Sequence, residues 1–299
     1  MQKIVECVPN FSEGRDLEKV ERIVGAFRDM EGVKLLDYSS DCDHNRMVVT
    51  AIGEPQALSA AVIAAVGIAM HEIDLRQHHG EHPRIGAADV IPFIPLRNMT
   101  MDEADELAKK TGKLIRDLLD LPVYLYEQSA TAEHRRNLAS VRGGEFEGLT
   151  AKMQMPRWQP DFFTGPVPRP HQTAGATIVG ARMPLIAFNV NLNTIDLVIA
   201  KTIARKIRSS DGGMPCVKAK GFFLKATKQA QVSMNLTDYM QTGIYQVVEA
   251  IRKEAALHGT SIANCELIGL IPRQAVINLP AHYLKLMNFS KRQVLETYY

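Results

Sequence analysis

This sequence predicts an α+β protein, an α/β sandwich of two subdomains, and three observations carry the prediction. Its 299 residues exceed what a single hydrophobic core usually serves, so two cores are expected. Strand-like runs lie next to one another as well as between helices, which suits mixed β-sheets with helices on one face better than a strictly alternating parallel sheet. A stretch dense in Pro and Gly, RWQPDFFTGPVPRPHQTAGATIVG from Arg157 to Gly180, shows neither helical nor strand period and reads as a junction. The boundary is therefore expected between residues 179 and 180, giving halves 1–179 and 180–299.

In the first half KIVECV reads as a strand, followed by a charged helix from about Asp16 to Arg28 and by the strands VKLLDY and RMVVTAIG. ALSAAVIAAVGIAM, from Ala57 to Met70, is an Ala-rich helix; IPFIPL is apolar throughout; a helix runs from about Met101 to Leu119, and PVYLYE is a further strand. Beyond the junction MPLIAFNVNL is a strand, TIDLVIAKTIARKIR a helix, and VKAKGFFLK with AQVSMNL a strand pair. A helix from about Thr242 to His258, the run CELIGLI and a helical C-terminus complete the second half. Both halves thus offer strand, helix, two strands, helix and strand. Their openings share only Asn content, VPNF around Asn10 against FNVNL around Asn189 and Asn191. Two such sheets can form a cleft between the halves, where small-molecule sites are often found, with the Pro/Gly junction lining it.

Lys and Arg total 35 against 33 Asp and Glu, so no global basic field recruits nucleic acid, and any anionic ligand must be held by local groups. Cys7, Cys42, Cys216 and Cys265 form no C-x-x-C pair, which excludes a zinc ribbon and suits a reducing compartment. The opening MQKIVECVPN puts Glu6 and Pro9 where a signal peptide needs an unbroken apolar core. The Ala57–Met70 run is shorter than the roughly 20 residues that span a bilayer, so no membrane segment and a cytoplasmic location are expected.

The stretch richest in chemistry is RQHHGEHPRIGAADV, with His78, His79, Glu81, His82 and Arg84 inside seven residues. Pro83 keeps His82 out of the α region, so His82 is expected in an extended loop, its ring away from any regular helical face. For His78 and His79 the plainer reading is solvation, or interaction with the end of the preceding helix. His78 and His82 have metal-ligand spacing only on a continuous helix, which Gly80 and Pro83 interrupt, so no metal is expected. Two polar clusters follow strands: NFSEGRD, with Asn10, Ser12, Glu13, Gly14 and Arg15, and SSDCDHNR, with Asp41, Asp43, His44, Asn45 and Arg46. A polar hairpin turn accounts for Asp41 and Asp43, and a helix cap at Ser12 or Asp16 accounts for the first cluster. Neither explains Arg15, Arg46 and Arg84, all near element ends, where they could clamp a dicarboxylate in bidentate fashion.

VECVPNFSEGRD, DHNR, HHGEHPRIGAADVIPFIP, PVYLYE, GATIVGAR and IAFNVNL, in this order and spacing, resemble the glutamate formimidoyltransferase family from about residue 3 to residue 275. The resemblance implies two α/β subdomains around a substrate tunnel, homodimerisation, and transfer of a formimino group from N-formimino-L-glutamate to tetrahydrofolate as co-substrate. It implies a general base at His82, with Asp41 or Asp43 assisting and Asn10, Arg15, Asn45, Arg46 and Arg84 holding the substrate. It implies folate contacts between about Phe163 and Gly175, namely Phe163, Thr164, Gly165, Pro166, Thr173 and Gly175. Animal relatives continue into a cyclodeaminase domain for which a chain ending at Tyr299 has no room, so the following deamination is expected to fall to a separate cyclodeaminase or not to occur. The acidic residues of SSDCDHNR fall at positions different from those of the animal enzymes, which leaves the choice between Asp41 and Asp43 open. The segment FFTGPVPRPHQTA is longer than its animal counterpart.

Such a transfer needs one proton to leave the attacking amine and one to reach the departing amine, and a histidine can serve both steps. Three other readings stand beside it: a relative that processes 5-formyltetrahydrofolate, a hydrolase releasing formamide, and a non-catalytic folate-binding protein. The first lacks a Walker-type phosphate loop, and the second lacks a metal cluster.

Overall fold

The computed structural model describes residues 2–28, 30–224, 227–277 and 284–299. The chain divides into two compact units, Met1–Arg182 and Met183–Tyr299.

The first unit is built on a seven-stranded sheet. Its strands are β1 (Val5–Cys7), β2 (Asn10–Phe11), β3 (Val33–Asp41), β4 (Arg46–Gly53), β5 (Ala88–Pro95), β6 (Val123–Leu125) and β7 (Thr177–Ala181). β1 and β2 both pair with β4 on one side and β5 on the other, so they are two pieces of one central strand broken at Val8–Pro9. Proline, which cannot donate to a ladder, fits that break. β3 extends the antiparallel side through β4, while β5, β7 and β6 run parallel. The sheet is therefore mixed.

Three helices cover one face: α1 (Leu17–Gly25), α2 (Pro55–Glu72) and α3 (Met101–Leu119). In α2 the buried side is Leu58, Ala61, Val62, Ala65, Val66 and Ala69, a helical period of small residues that lets the helix lie close to the strands. Thr100 and Glu103 close a capping box at the start of α3, and Asp120 ends it in a left-handed conformation. Three short helices follow β6: α4 (Glu133–Arg136), α5 (Leu138–Arg142) and α6 (Glu145–Met153). Val141, Leu149 and Met153 pack with Val90, Tyr124 and Ile178, whereas Ile91, Val123 and Val179 belong to the core under α2 and α3. Because neighbouring strand residues point to opposite faces, α5 and α6 lie on the face away from α1–α3. The first sheet thus carries short helices on its second face in addition to the expected layer.

TIVGA was expected to belong to an aperiodic junction, but it forms β7, between β5 and β6, with every residue buried. A strand covered on both faces has no polar side to alternate with, so period-based reading passes over it.

The second unit has β8 (Ile186–Leu192), α7 (Leu197–Ile207), β9 (Val217–Leu224), β10 (Gln229–Leu236), α8 (Ile244–Leu257), β11 (Ile262–Ile268), α9 (Arg273–Val276) and β12 (Leu286–Met287). Its sheet runs β12-β11-β8-β10-β9. Ile186, Phe188, Val190 and Leu192 point into a core with Ile203 of α7 and Val247 of α8. Between them, Asn191 links Gln231 and Asn264 in a ladder of side-chain amides across three strands, at 2.9 and 2.7 Å. The C-terminus is not the expected helix. Among the described residues it is β12 followed by short 3-10 turns, because Ile271 exchanges backbone hydrogen bonds with Gln293 and Leu295, at 2.8 and 3.0 Å, and tertiary pairing overrides local propensity. Residues 278–283 of this C-terminal stretch lie outside the described residues.

Candidate active site

Three polar loops of the first unit meet at Asn45. Its side-chain oxygen accepts the Gly14 amide at 3.0 Å, its amide nitrogen donates to the His79 carbonyl at 3.1 Å, and its own carbonyl accepts from His78 Nε2 at 2.8 Å. Asn45 holds a left-handed φ of 46°, a conformation that asparagine tolerates better than most residues. The loops meet backbone to backbone: a Cβ on Gly14 would lie 2.3 Å from the Asp41 carbonyl, and one on Gly80 would lie 2.2 Å from that of His44. Buried Glu13 accepts the amides of Gly14, Arg15 and Asp16 with one oxygen, and Asp16, not Ser12, caps α1. Ser12 donates instead to the Gly86 carbonyl at 2.7 Å. Asn10 donates to the Val8 carbonyl at 2.9 Å, and Arg15 Nε to that of Cys42 at 2.8 Å. The NFSEGRD cluster therefore builds the loop, with Arg15 at its exposed rim.

Two arginine–histidine pairs flank Gly80. In the first, buried Arg84 donates from Nε to His78 Nδ1 at 3.1 Å, from Nη2 to Glu147 at 2.7 Å and to the His78 carbonyl at 3.2 Å, and from Nη1 to Glu147 at 2.9 Å and Glu145 at 3.1 Å. Arginine only donates, so His78 Nδ1 is the acceptor and its Nε2 carries the proton given to Asn45. Both ring nitrogens are engaged, and burial lowers the pKa of this ring from its ordinary value. His78 is a buried knot of the loop rather than a solvated side chain.

In the second pair, Arg46 Nη1 lies 2.6 Å from His82 Nε2. By the same rule Nε2 accepts and the neutral ring is protonated on Nδ1. Burial, then the charges of Arg46 and Arg142 and the His44 ring, push His82 from 6.5 down to about 3, against a backbone hydrogen bond to Pro83. Burial and then Arg142 also lower Arg46, opposed by Asp89 and Asp41. Arg142, at the end of α5, donates to Asp89 Oδ2 through Nε at 2.8 Å and through Nη2, while Asp89 Oδ1 accepts the Ile85 amide at 2.8 Å. Asp89 is 2% exposed.

Asp41 is the acceptor of the hairpin turn: Oδ1 takes the amides of Asp43 at 2.9 Å and His44 at 2.8 Å, and the latter bond holds its carboxyl below the usual range. The Asp43 side chain is exposed, and its carbonyl accepts the Glu81 amide at 3.3 Å. Among the described residues neither carboxylate hydrogen-bonds His82. Asp89 and Arg142 were missed in the sequence. Asp89 hides inside the apolar run ADVIPFIP, and its partner lies 53 residues away on a helix too short to show a period.

An open hollow of about 660 Å³ beside the loops is lined by Arg15, Asp43, His79, Glu81, Arg84 and Glu145 among others. A second of about 550 Å³, across His78, is lined by Arg76, Phe146, Arg169 and His171 among others. The residues expected to contact folate divide into two groups. The Phe163 carbonyl accepts from Arg116 at 3.3 Å, Thr164 donates to Asp120, and Gly165 and Pro166 form an exposed turn beyond them at the end of α3. The Thr173 carbonyl accepts the Leu75 amide at 2.8 Å, and Gly175, at φ 70°, sits so close to Ile85 that a Cβ would lie 2.0 Å from its carbonyl. Only the second group adjoins the histidine loop. Among the described residues no three His, Cys, Asp or Glu side chains converge as a metal would require, and no helix is long and apolar enough to cross a membrane.

Residues 4–182 match the family pattern of the formiminotransferase domain, N-terminal subdomain, and residues 187–296 match that of the formiminotransferase domain. The chain is 44% identical over 299 residues to the glutamate formimidoyltransferase of Streptococcus pyogenes serotype M1, covering 100% of this chain and 99% of that one. It is also 44% identical over 295 residues to the protein of that name from Thermoplasma acidophilum, covering 98% and 96%. The formimidoyltransferase-cyclodeaminase of Sus scrofa is 40% identical over 296 residues, which is 96% of this chain but 54% of that longer protein.

Proposed function

The chain belongs to the formiminotransferase family, and from that premise we propose that it moves the formimino group of N-formimino-L-glutamate to N5 of tetrahydrofolate, with His82 carrying the proton between the two nitrogens. N5 attacks the formimino carbon and a C–N5 bond forms. The tetrahedral diamine then breaks its bond to the glutamate nitrogen. Over the two steps one proton leaves N5 and one reaches the departing amine, which a single neutral imidazole can accept and return. Tetrahydrofolate is the co-substrate, and holding both substrates together supplies much of the acceleration through proximity.

The observation that carries this reading is His82 itself: a half-buried, neutral imidazole whose accepting nitrogen faces a guanidinium that an anionic substrate can engage. Asp89, held by Arg142, and Asp41, which accepts the amides of Asp43 and His44 in the hairpin turn, are the carboxylates whose charges act on Arg46. The Thr173–Gly175 end of the Pro/Gly segment is the part of the expected folate contact region that adjoins the loop, through Leu75 and Ile85. By resemblance the enzyme is a homodimer, and a monomer in sedimentation at assay concentration would contradict that. The activity is tested by mixing purified protein with formiminoglutamate, with and without tetrahydrofolate, and following glutamate release. Release that depends on folate is expected; equal release without it overturns the transferase reading in favour of a hydrolase.

A further inference from the structure

Arg46 and Arg142 converge beside His82 with one buried carboxylate between them, and that carboxylate is already committed. Asp89 takes the Ile85 amide on one oxygen and two bonds from Arg142 on the other. Arg46 makes no ion pair among the described residues; its partner is the neutral Nε2 of His82. Arg46 thus feels Asp89 and Asp41 only at a distance, in a place where a half-buried cation without a carboxylate in contact is costly. The same contact blocks the chemistry. The only lone pair of the neutral ring points at Arg46, so the base cannot take a proton until Arg46 finds another acceptor.

We propose that Arg46 and Arg142 together receive the α-carboxylate of formiminoglutamate, and that this carboxylate draws Arg46 off His82 Nε2 and so frees the ring to take the N5 proton. The inference rests on the reading of His82 as the proton-transfer residue and adds to it a receptor and a trigger. The α-carboxylate is attached to the carbon that bears the formimino nitrogen. A carboxylate held one guanidinium away from Nε2 therefore brings the reacting carbon within reach of the ring, which the more distant γ-carboxylate does not. Arg84 is a poor rival, since Glu145, Glu147 and His78 occupy its donors. Arg142 touches the substrate in this scheme, while Asp89 is a positioning residue that aims it.

The charged groups acting on His82 are Arg46 from β4, Arg142 from α5 and His44 from the hairpin turn; Asp89 from β5 and Asp41 from the end of β3 act on Arg46. A bound carboxylate adds a negative charge in direct contact with the two arginines. It should therefore raise the affinity of the ring for a proton, and the same event that unblocks the base strengthens it.

The test uses the intact native protein and L-glutamate, the product that carries the same α-carboxylate. Nitrogen NMR of the His82 ring, assigned by the signals that vanish in His82→Gln, is followed against pH with and without glutamate. The expected result is a ring that stays neutral above pH 5 when free and gains at least one pH unit in its midpoint with saturating glutamate, a shift of tenfold or more in proton affinity. 4-Aminobutanoate, which keeps the distal carboxylate and lacks the α one, should give no shift. Kinetically, Arg142→Gln should raise KM for formiminoglutamate by about thirtyfold or more while leaving KM for tetrahydrofolate within about threefold, and Arg142→Lys should recover part of the loss. An unchanged midpoint with glutamate in the native protein, or an Arg142→Gln effect on tetrahydrofolate alone, overturns the proposal. If His82→Gln is itself fully active, the underlying reading falls. If His82 is essential and Arg142 is silent, only the receptor falls.

Discussion

The two arginine–histidine pairs on either side of Gly80 are made of the same residue types and differ in their charge balance. Arg84 meets two glutamates and a histidine, so its charge is more than offset and every donor group is used. Arg142 holds Asp89, while Arg46 makes no ion pair among the described residues and donates to a neutral imidazole. The first pair is closed and fastens the loop; the second is open and awaits an anion. A histidine beside an arginine is informative only through the rest of the arginine's partners.

The largest effect that separates the pairs is catalytic. His82→Gln should lower kcat by about a hundredfold to ten-thousandfold with little change in substrate affinity, as steady-state kinetics and folate titration can establish. A variant keeping more than about a tenth of native kcat would close the gap between the two pairs. Arg84→Gln should act on the fold instead: about 1–3 kcal/mol of stability lost in denaturant unfolding, with KM for formiminoglutamate within about threefold. The lower half of that range is favoured because Glu145 and Glu147 are 45% and 64% exposed, where water screens the pairs. A large rise in KM with unchanged stability would return Arg84 to the substrate. Gly80→Ala, which puts a methyl group against the His44 carbonyl, should cost about 1–3 kcal/mol as the loops are forced apart, and should disturb both pairs together. Activity and stability left untouched would show that the loops are not fixed by this contact.

The smallest effect is in the pH dependence of stability. The folded-state pKa of His82, about 3, lies below its ordinary value of 6.5. Above 6.5 the ring is neutral in both the folded and unfolded states, and its contribution is fully present. As pH falls from 6.5 towards 3 the unfolded chain takes up a proton that the folded one refuses, and stability is lost. His82→Gln should flatten that part of the stability curve of the ligand-free protein; an unchanged slope would mean that the ring is not held neutral.

The regular elements were legible because their patterns are local. RMVVTAIG alternates, the helix expected from Met101 to Leu119 forms over those residues with its capping box, and Asp16 serves as one of the two caps considered. β7 was not legible, since a strand buried on both faces looks like any short apolar run, and Gly and Pro around it drew the eye to a junction. At the site, Pro83 and Gly80 marked His82 as a loop residue correctly, yet one of the charges acting on it, Arg142, comes from α5 and is held by Asp89 of β5. Nothing in VRGGEFEG or ADVIPFIP announces that Arg142 and Asp89 meet. Folding brings that pair together from two distant elements, and only the fold says which arginine is closed and which is open. The amides that join Asn45 to two other loops are hidden for the same reason.

The most direct test of the account is kcat measured against pH for the native enzyme and for His82→Gln. Native kcat should rise through an apparent pKa near that of ordinary histidine, because kcat reports the substrate complex in which a bound carboxylate offsets the cations around the ring, and the variant should lose this limb. A variant with the same profile as the native enzyme would contradict it.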